Sequence, residues 1–183
     1  LSVVGGLVVD NATLVATNVE AASLLLTNAA LLTTFNPSSS KVYLLNLSFS
    51  DAAVVTTNSR IDVIGKGYVA GRTSGNTTVG ATTGTSGGSF GGLGGNGTSG
   101  TANAVYGEYD DPNDWGSGSI YVAGGGLVRM VAGSLVLDGQ LLADGTSYSI
   151  GASSGGGIYV RVATLAGAGS MQARGGSSTS GYG

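Results

Sequence analysis

The stretch GGLVRMVAGSLVLDGQLLADG, residues 125–145, recurs thirty residues later as GGGIYVRVATLAGAGSMQARG, residues 155–175, with no gap in the alignment. A fixed period of this size is typical of proteins whose repeated units bury their apolar sides by stacking on one another. Within the second copy, aliphatic residues alternate with Tyr159 and Arg161, which is the period of a half-buried strand. Glycines interrupt the apolar runs where turns need a positive φ. The stretch therefore predicts strands joined by glycine corners.

Strands and glycine corners at a constant period predict an all-β fold, a right-handed parallel β-helix (solenoid) with a long glycine-rich loop excursion. Neighbouring turns of such a helix lie about 4.8 Å apart, and alternate side chains of each strand point into its core. The residues predicted to face inward are Val128, Met130, Leu135, Leu137, Ile158, Val160, Val162 and Leu165. Those predicted to face outward are Arg129, Tyr159 and Arg161.

Residues 1–71 are rich in Val, Leu, Ala and Thr, and related segments ending in Asn recur at spacings of ten and thirty residues. The spacing predicts three faces of about ten residues in each turn of the helix. It places Asn18, Asn28 and Asn58 at corners, where Asn tolerates the left-handed conformation. An α-helix over residues 12–34 is the alternative, and the repeated Val and Thr with no polar helical face disfavour it.

We predict one domain, 1–183, in three parts: Val/Leu/Thr-rich coils at 1–71, a Gly/Ser/Thr-rich loop at 72–117, and Gly-rich coils at 118–183. The loop has almost nothing to bury, so in isolation its composition is typical of disorder. We expect this loop to project from the β-helix and to be ordered mainly by packing of Trp115 and Tyr106 against the β-helix or a neighbouring molecule. A polar cap is missing from the sequence at both ends of the predicted helix, which predicts that another subunit or further chain covers them.

The composition excludes several classes of protein. The chain has no Cys and no His, which excludes disulfide frameworks, thiol nucleophiles, the usual zinc ligand sets and a Ser-His-Asp triad. A net charge of −3 gives no reason to expect nucleic acid as a partner. Since no apolar run approaches the roughly 20 residues of a membrane-spanning helix, we expect no membrane insertion.

The segment EYDDPNDW, residues 108–115, holds four of the ten acidic residues and the one Trp. Its carboxylates belong to Glu108, Asp110, Asp111 and Asp114, and several oxygens so close together could bind calcium. The spacing does not match an EF-hand loop, so a solvated or capping turn is the interpretation that the sequence favours over calcium. Paired carboxylates in catalysis are a third interpretation. The other acidic and basic residues are spread singly, so we predict neither enzymatic activity nor a cofactor other than calcium.

Several blocks of the sequence, among them IDVIGKGY, NAVYG and LDGQLLADG, resemble a glycine-rich repeat module of very large bacterial adhesin-like surface proteins. The resemblance covers about residues 58–176, and the blocks occur in the same order. It implies a parallel β-helix with an extracellular or cell-surface role and no catalytic residues.

From the residues and the resemblance together we predict a structural or adhesive part of an extracellular fibre, filament or cell-surface layer. Its expected partners are copies of itself or flanking repeats of a longer chain, and cell-surface glycans. The predicted assembly surface consists of Leu127, Val131, Val136, Leu142, Tyr106, Trp115, Tyr121 and Tyr159. A β-helix protein that binds carbohydrate or cleaves polysaccharide is the alternative, since aromatic rings also bind sugars.

Overall fold

The computed structural model describes residues 1–179, and this part of the chain contains twelve β-strands and a single 3-10 turn, Ser74–Asn76. The first eight strands lie within residues 1–71: β1 (Gly6–Asp10), β2 (Thr13–Val15), β3 (Asn18–Ala21), β4 (Ser23–Thr27), β5 (Leu31–Thr33), β6 (Leu44–Phe49), β7 (Ala52–Val55) and β8 (Arg60–Asp62). The other four follow residue 118: β9 (Leu127–Leu137), β10 (Gln140–Leu142), β11 (Gly157–Ala166) and β12 (Ser170–Gln172). The last four residues of the predicted domain, 180–183, lie outside the described residues.

The strands form two wholly parallel sheets, and the prediction of a right-handed parallel β-helix is wrong. The larger sheet has seven strands in the order β1-β4-β7-β9-β6-β3, with β11 also paired to β9. The smaller sheet has five strands in the order β12-β10-β8-β5-β2. The larger sheet leads from β1 to β9 and back to β3, so it is nearly barrel-shaped rather than one face of a regular solenoid.

The long strand β9 explains this departure. One edge of β9 pairs with two shorter strands, β6 along its first half and β7 along its second. From Ser48 to Ala52 the short strands advance four residues, while their partners Val131 and Ser134 in β9 are three residues apart. An extra residue on one side of a strand pair bends that side, as in a β-bulge. Two faces therefore merge into one strand, a junction that a constant repeat does not predict.

The thirty-residue repeat sets the pairing in the later part of the chain. Strand β11 lies on the other edge of β9, with Val128 opposite Ile158 and Leu135 opposite Leu165. In the smaller sheet Leu141 is opposite Met171. Both pairings have the offset of thirty residues that the sequence alignment contains.

The core lies between the two sheets and consists mainly of Leu and Val. Four of the residues predicted to face inward are buried, namely Val128, Met130, Leu135 and Leu137. In β11, three more pack half-buried against the core: Ile158, Val160 and Val162. Leu165 does not follow the prediction, since 61% of its surface is exposed. Of the residues predicted to face outward, Arg161 is exposed, and Arg129 and Tyr159 are half-buried.

Two of the three predicted asparagine corners are confirmed. Asn28 has a φ of 54° and Asn58 a φ of 68°, both in the left-handed region. Asn18 is not a corner, because it begins strand β3. Asn18 pairs with Asn46 of strand β6.

The glycine-rich segment 72–117 connects β8 to β9 and contains no strand. It is tied to itself and to the later part of the chain by backbone hydrogen bonds. The N–H of Thr85 donates to the carbonyl of Ser99 at 2.8 Å, and the N–H of Gly88 donates to the carbonyl of Ala152 at 3.0 Å. Among the described residues, no helix is long and apolar enough to cross a membrane.

Candidate functional site

The acidic segment 108–115 lies at the end of the glycine-rich segment, just before the buried Gly116–Gly118. Its side chains separate into two groups. Asp111 and Asp114 contact residues distant in sequence. Asp114 is half-buried, whereas Glu108, Asp110 and Asp111 are exposed. The four predicted calcium ligands therefore have different surroundings.

Asp114 is a hydrogen-bond acceptor for three protein donors. Its carboxylate accepts the hydroxyl of Tyr68 on Oδ1 and the hydroxyl of Ser74 on Oδ2, the latter at 2.7 Å. Its Oδ1 also accepts the backbone N–H of Trp115 at 2.8 Å. Charged acceptors form stronger hydrogen bonds than neutral ones, so Asp114 fixes the acidic segment to the start of the glycine-rich segment.

Asp111 is fixed by Arg129 of strand β9. The guanidinium Nη2 of Arg129 lies 2.6 Å from Asp111 Oδ1, and Nη1 donates to the carbonyl of Pro112 at 2.7 Å. The same guanidinium stacks over the ring of Tyr159, 4.2 Å from the ring centroid. Arg129 thus holds the acidic segment against the outer face of the larger sheet.

The exposed side of the segment borders a cleft of about 460 Å³. The cleft is lined by Glu108 and Tyr109 of the segment and, among others, by Phe90 and Ile158. Tyr109 is 99% exposed, so its ring projects into solvent at the rim. Within residues 1–179 the structure brings no three acidic side chains together in a group that could hold a metal ion. Calcium binding by Glu108, Asp110, Asp111 and Asp114 stays a prediction.

Two tyrosines next to the segment have raised pKa values. Burial, the hydrogen bond to Asp114 and the negative charge of that carboxylate all raise the pKa of Tyr68, which is 3% exposed. Burial is also the main cause of the raised pKa of Tyr106. The hydroxyl of Tyr106 donates to the carbonyl of Trp115 at 2.6 Å and lies 2.9 Å from the hydroxyl of Ser117. Both phenols therefore stay protonated and act as structural donors.

The aromatic residues of the predicted assembly surface mostly contact their own chain. Trp115 donates its indole N–H to the carbonyl of Tyr43 at 3.2 Å. The ring of Tyr106 packs on Phe90 with 5.2 Å between centroids. Tyr121 is the most exposed of the set, at 41%, and stacks on Tyr148 with 4.8 Å between centroids.

The four aliphatic residues of that surface have different environments. Leu127 is 1% exposed and Leu142 is 8% exposed, so both are buried. Val136 is half-buried, and Val131 is 36% exposed. Leu127 and Pro112 of the acidic segment both lie beside Gly157. Val131 is thus the member of the four that the chain leaves most accessible.

Sequence reasoning missed Asn103, which orders the glycine-rich segment. Asn103 is 2% exposed, and its Oδ1 accepts the N–H of Ser89 at 2.7 Å and the hydroxyl of Thr82 at 3.2 Å. Its Nδ2 donates to the hydroxyl of Thr73 at 3.1 Å and to the carbonyl of Ser89 at 3.0 Å. The prediction that Trp115 and Tyr106 are the main source of order therefore understated the polar contacts. A lone Asn in a Gly/Ser/Thr-rich run gives no signal of such a position.

Comparisons of the chain with protein-family models, with curated proteins and with solved structures found no match.

Proposed function

We propose that the chain is a non-enzymatic structural or adhesive component of an extracellular fibre or cell-surface layer, and that it assembles through the edges of its parallel sheets. Its partners in this proposal are copies of itself or flanking repeats of a longer chain, with cell-surface glycans as the adhesive target. The resemblance to adhesin-like repeat modules supports the extracellular location.

The observation that carries the proposal is the pair of open sheet edges at one end of the molecule. Among the described residues, β11 pairs only with β9 and β12 only with β10. Two core-type side chains are accessible at these edges, since Leu165 is 61% exposed and Met171 is 36% exposed. Unpaired strand edges with apolar side chains are templates for further pairing.

The state of the charged side chains supports a structural role. Asp114 accepts hydrogen bonds from Tyr68, Ser74 and Trp115, and Asp111 forms an ion pair with Arg129. In the smaller sheet Arg60 pairs with Asp62 at 3.2 Å, and nearby Arg174 pairs with Asp144 at 3.0 Å. The pair of Arg174 and Asp144 connects segments thirty residues apart, whereas Arg60 and Asp62 belong to the same strand, β8.

Electron microscopy and size-exclusion chromatography over a range of concentrations test the proposal. We expect filaments or larger oligomers whose formation is blocked by Val160→Pro and retained by the control Val160→Ala. The N–H of Gly157 donates to Gly126 in the neighbouring segment, and N–H groups alternate sides along a strand, so the N–H of Val160 faces the open edge. Proline there removes an outward donor. A monodisperse monomer at high concentration would contradict the proposal.

A carbohydrate-binding or polysaccharide-cleaving protein is the second candidate, and the cleft beside the acidic segment favours it. The cleft has an exposed tyrosine, Tyr109, and a carboxylate, Glu108, on its lining. A glycan array and a polysaccharide depolymerisation assay, each with and without calcium, distinguish the two candidates. Turnover that Asp110→Ala or Asp111→Ala abolishes would replace the structural proposal by an enzymatic one.

A further inference from the structure

The two ends of the molecule expose different strand edges. Strands β11 and β12 form one end, and β1 and β2 form the other. At that second end β3 is covered by residues 1–3. Ser2 pairs in parallel with Glu20, and the N–H of Val3 donates to the carbonyl of Glu20 at 2.9 Å. Among the described residues, the outermost backbone at this end therefore belongs to residues 1–3, β1 and β2.

The two ends carry opposite charges. The first forty residues contain two charged side chains, Asp10 and Glu20, and both are acidic and exposed. Residues 145–179 also contain two charged side chains, and both are basic and exposed. Arg174 pairs with Asp144 at 3.0 Å, so Arg161 is the basic side chain of this end that has no ion pair among the described residues. Opposite charges at two ends of one molecule favour contact between unlike ends and disfavour contact between like ends.

The apolar side chains of the two ends belong to the same columns. In the larger sheet one column of paired residues runs Leu7, Leu24, Ala53, Leu135 and Leu165. In the smaller sheet another runs Leu14, Leu32, Ile61, Leu141 and Met171. A second copy that continues both columns places its Leu7 on Leu165 and its Leu14 on Met171. A pocket of about 160 Å³ between Leu165 and Met171 gives these leucines a place to insert.

The spacing at the two ends agrees with this continuation. Strand β11 would have to pair with residues 1–3 and with β1 at once, as β9 pairs with β6 and β7. In the second copy Ser2 and Gly6 are four residues apart, while their partners Arg161 and Thr164 would be three apart. The pairing of β9 with β6 and β7 inside the chain has the same four-to-three step. The junction that the chain forms internally can thus be repeated between two copies.

We propose that a second copy of this chain docks head to tail, with β11 and β12 of one copy pairing in parallel with residues 1–3, β1 and β2 of the next. This interface rests on the proposed function and specifies how the assembly takes place. Arg161 then lies beside Ser2 of the second copy. Because Ser2 is small, the guanidinium of Arg161 can extend past it toward Glu20 of the second copy. A head-to-tail contact does not close on itself, so it extends into a filament.

Cross-linking between two single-cysteine proteins tests the register, and the absence of native cysteine makes it specific. The column of Thr13, Leu31, Arg60, Gln140 and Ser170 predicts that Thr13 of one copy lies next to Ser170 of another. Adjacent strands are about 4.8 Å apart, within the reach of a short bismaleimide. Thr13→Cys protein mixed with Ser170→Cys protein should give a cross-linked dimer.

The matched control replaces Ser170→Cys by Arg60→Cys, which lies in the same column on the central strand of the sheet. That mixture should give no dimer, and neither should any of the three proteins alone. Dimers from Ser170→Cys alone, or from Thr13→Cys alone, would mean that like ends meet and would overturn the proposal.

Charge reversal provides the second arm. Arg161→Glu and Glu20→Lys should each lower the association constant about three- to tenfold at low salt, and the double variant should recover part of the loss. The effect should shrink at high salt because exposed charges are screened. Sedimentation velocity measures the constants.

The outcomes separate this interface from the proposed function. Filaments that form without a 13–170 cross-link and ignore charge reversal would overturn the head-to-tail interface and leave the structural role standing. A chain that stays monomeric in both experiments would overturn the interface and the proposed function together.

Discussion

The two parallel sheets and the glycine-rich segment 72–117 are both ordered, but the sheets are held by side-chain packing and the segment by backbone contacts. In the sheets, columns of aliphatic side chains such as Leu24 and Leu135 fill the core and are 1% exposed. In the segment the main chain itself makes the contacts. A Cβ added to Gly116 would lie 2.2 Å from the carbonyl oxygen of Gly155, so the two backbones touch with no room for a side chain. The comparison shows that a stretch with few apolar residues can be ordered when its backbone groups find partners.

Substitution at a glycine contact should have the largest effect. Gly116→Ala introduces a Cβ against backbone atoms of Gly155 and Gly125, which cannot rotate away. We expect a loss of about 3 kcal/mol or more in the free energy of unfolding. Gly92→Ala is the matched control, because nothing lies within 4 Å of its added Cβ. Denaturant unfolding followed by circular dichroism measures both, and equal stability of the two variants would show that the backbone contacts are not close.

Truncation within one column of the smaller sheet should separate its interior from its edge. Leu141 is fully buried, and Leu141→Ala should cost about 2–5 kcal/mol through the lost transfer energy and the cavity. Met171 is the next residue of the column and is 36% exposed, so Met171→Ala in the monomer should cost about 1 kcal/mol or less. Thermal unfolding at low protein concentration compares them. A cost at Met171 that matches the cost at Leu141 would mean that the edge is already covered.

Removal of the buried amide should loosen the glycine-rich segment and spare the sheets. Asn103→Ala leaves the buried N–H of Ser89 without its acceptor, at a cost of about 2 kcal/mol, whereas the hydroxyl of Thr82 keeps the carbonyl of Gly87 as its acceptor. Asn96→Ala is the control, because Asn96 makes one exposed hydrogen bond, to the N–H of Ala102. Limited proteolysis with a non-specific protease should cut the first variant within the segment and leave the second intact. Cleavage in the strands instead would place Asn103 in the support of the whole fold.

The smallest expected effect is a loss of stability at alkaline pH. The pKa values of Tyr68 and Tyr106 are raised in the folded chain, so both phenols keep their protons when an unfolded tyrosine, with a pKa of about 10, has lost its own. Their contribution to stability is therefore complete below about pH 10 and is lost as the pH rises above it. The slope should approach about 1.4 kcal/mol per pH unit for each tyrosine. Unfolding midpoints from about pH 8 to 11 should fall less steeply in Tyr68→Phe; an unchanged slope would contradict the shift.

The sequence was informative where a repeat and a pairing coincide. Val128 and Ile158 occupy the same place in two copies of one stretch, and they are paired across β9 and β11. Asn28 and Asn58 recur for the same reason, since each adopts the positive φ of a corner. Such local requirements are written into residue type and spacing.

The sequence did not show where the repeat changes register. The extra residue between Ser48 and Ala52 joins two short strands to the long β9, and this junction makes the larger sheet turn back on itself. It depends on strands that are more than eighty residues apart, so no local pattern contains it. The solenoid prediction failed for this reason.

The contacts of the candidate site were equally hard to predict. Asp114 meets Tyr68 across 46 residues and Asp111 meets Arg129 across 18, although the acidic segment itself was recognised. Charged side chains in one short segment can turn to different partners, and their spacing does not reveal which. The glycine contacts are reflected in the glycine-rich composition, but the composition does not reveal which backbone atoms each glycine meets.

Native-state hydrogen exchange tests most directly whether the segment is as ordered as the sheets. The amides of Gly88 and Gly116 donate to the carbonyls of Ala152 and Gly125 at 3.0 and 2.9 Å, so they should be protected to a degree comparable with amides of strand β9. The amide of Gly92, at an exposed position of the segment, should exchange quickly and serves as the internal reference. Exchange of Gly88 and Gly116 at the rate of Gly92, with β9 still protected, would contradict the account.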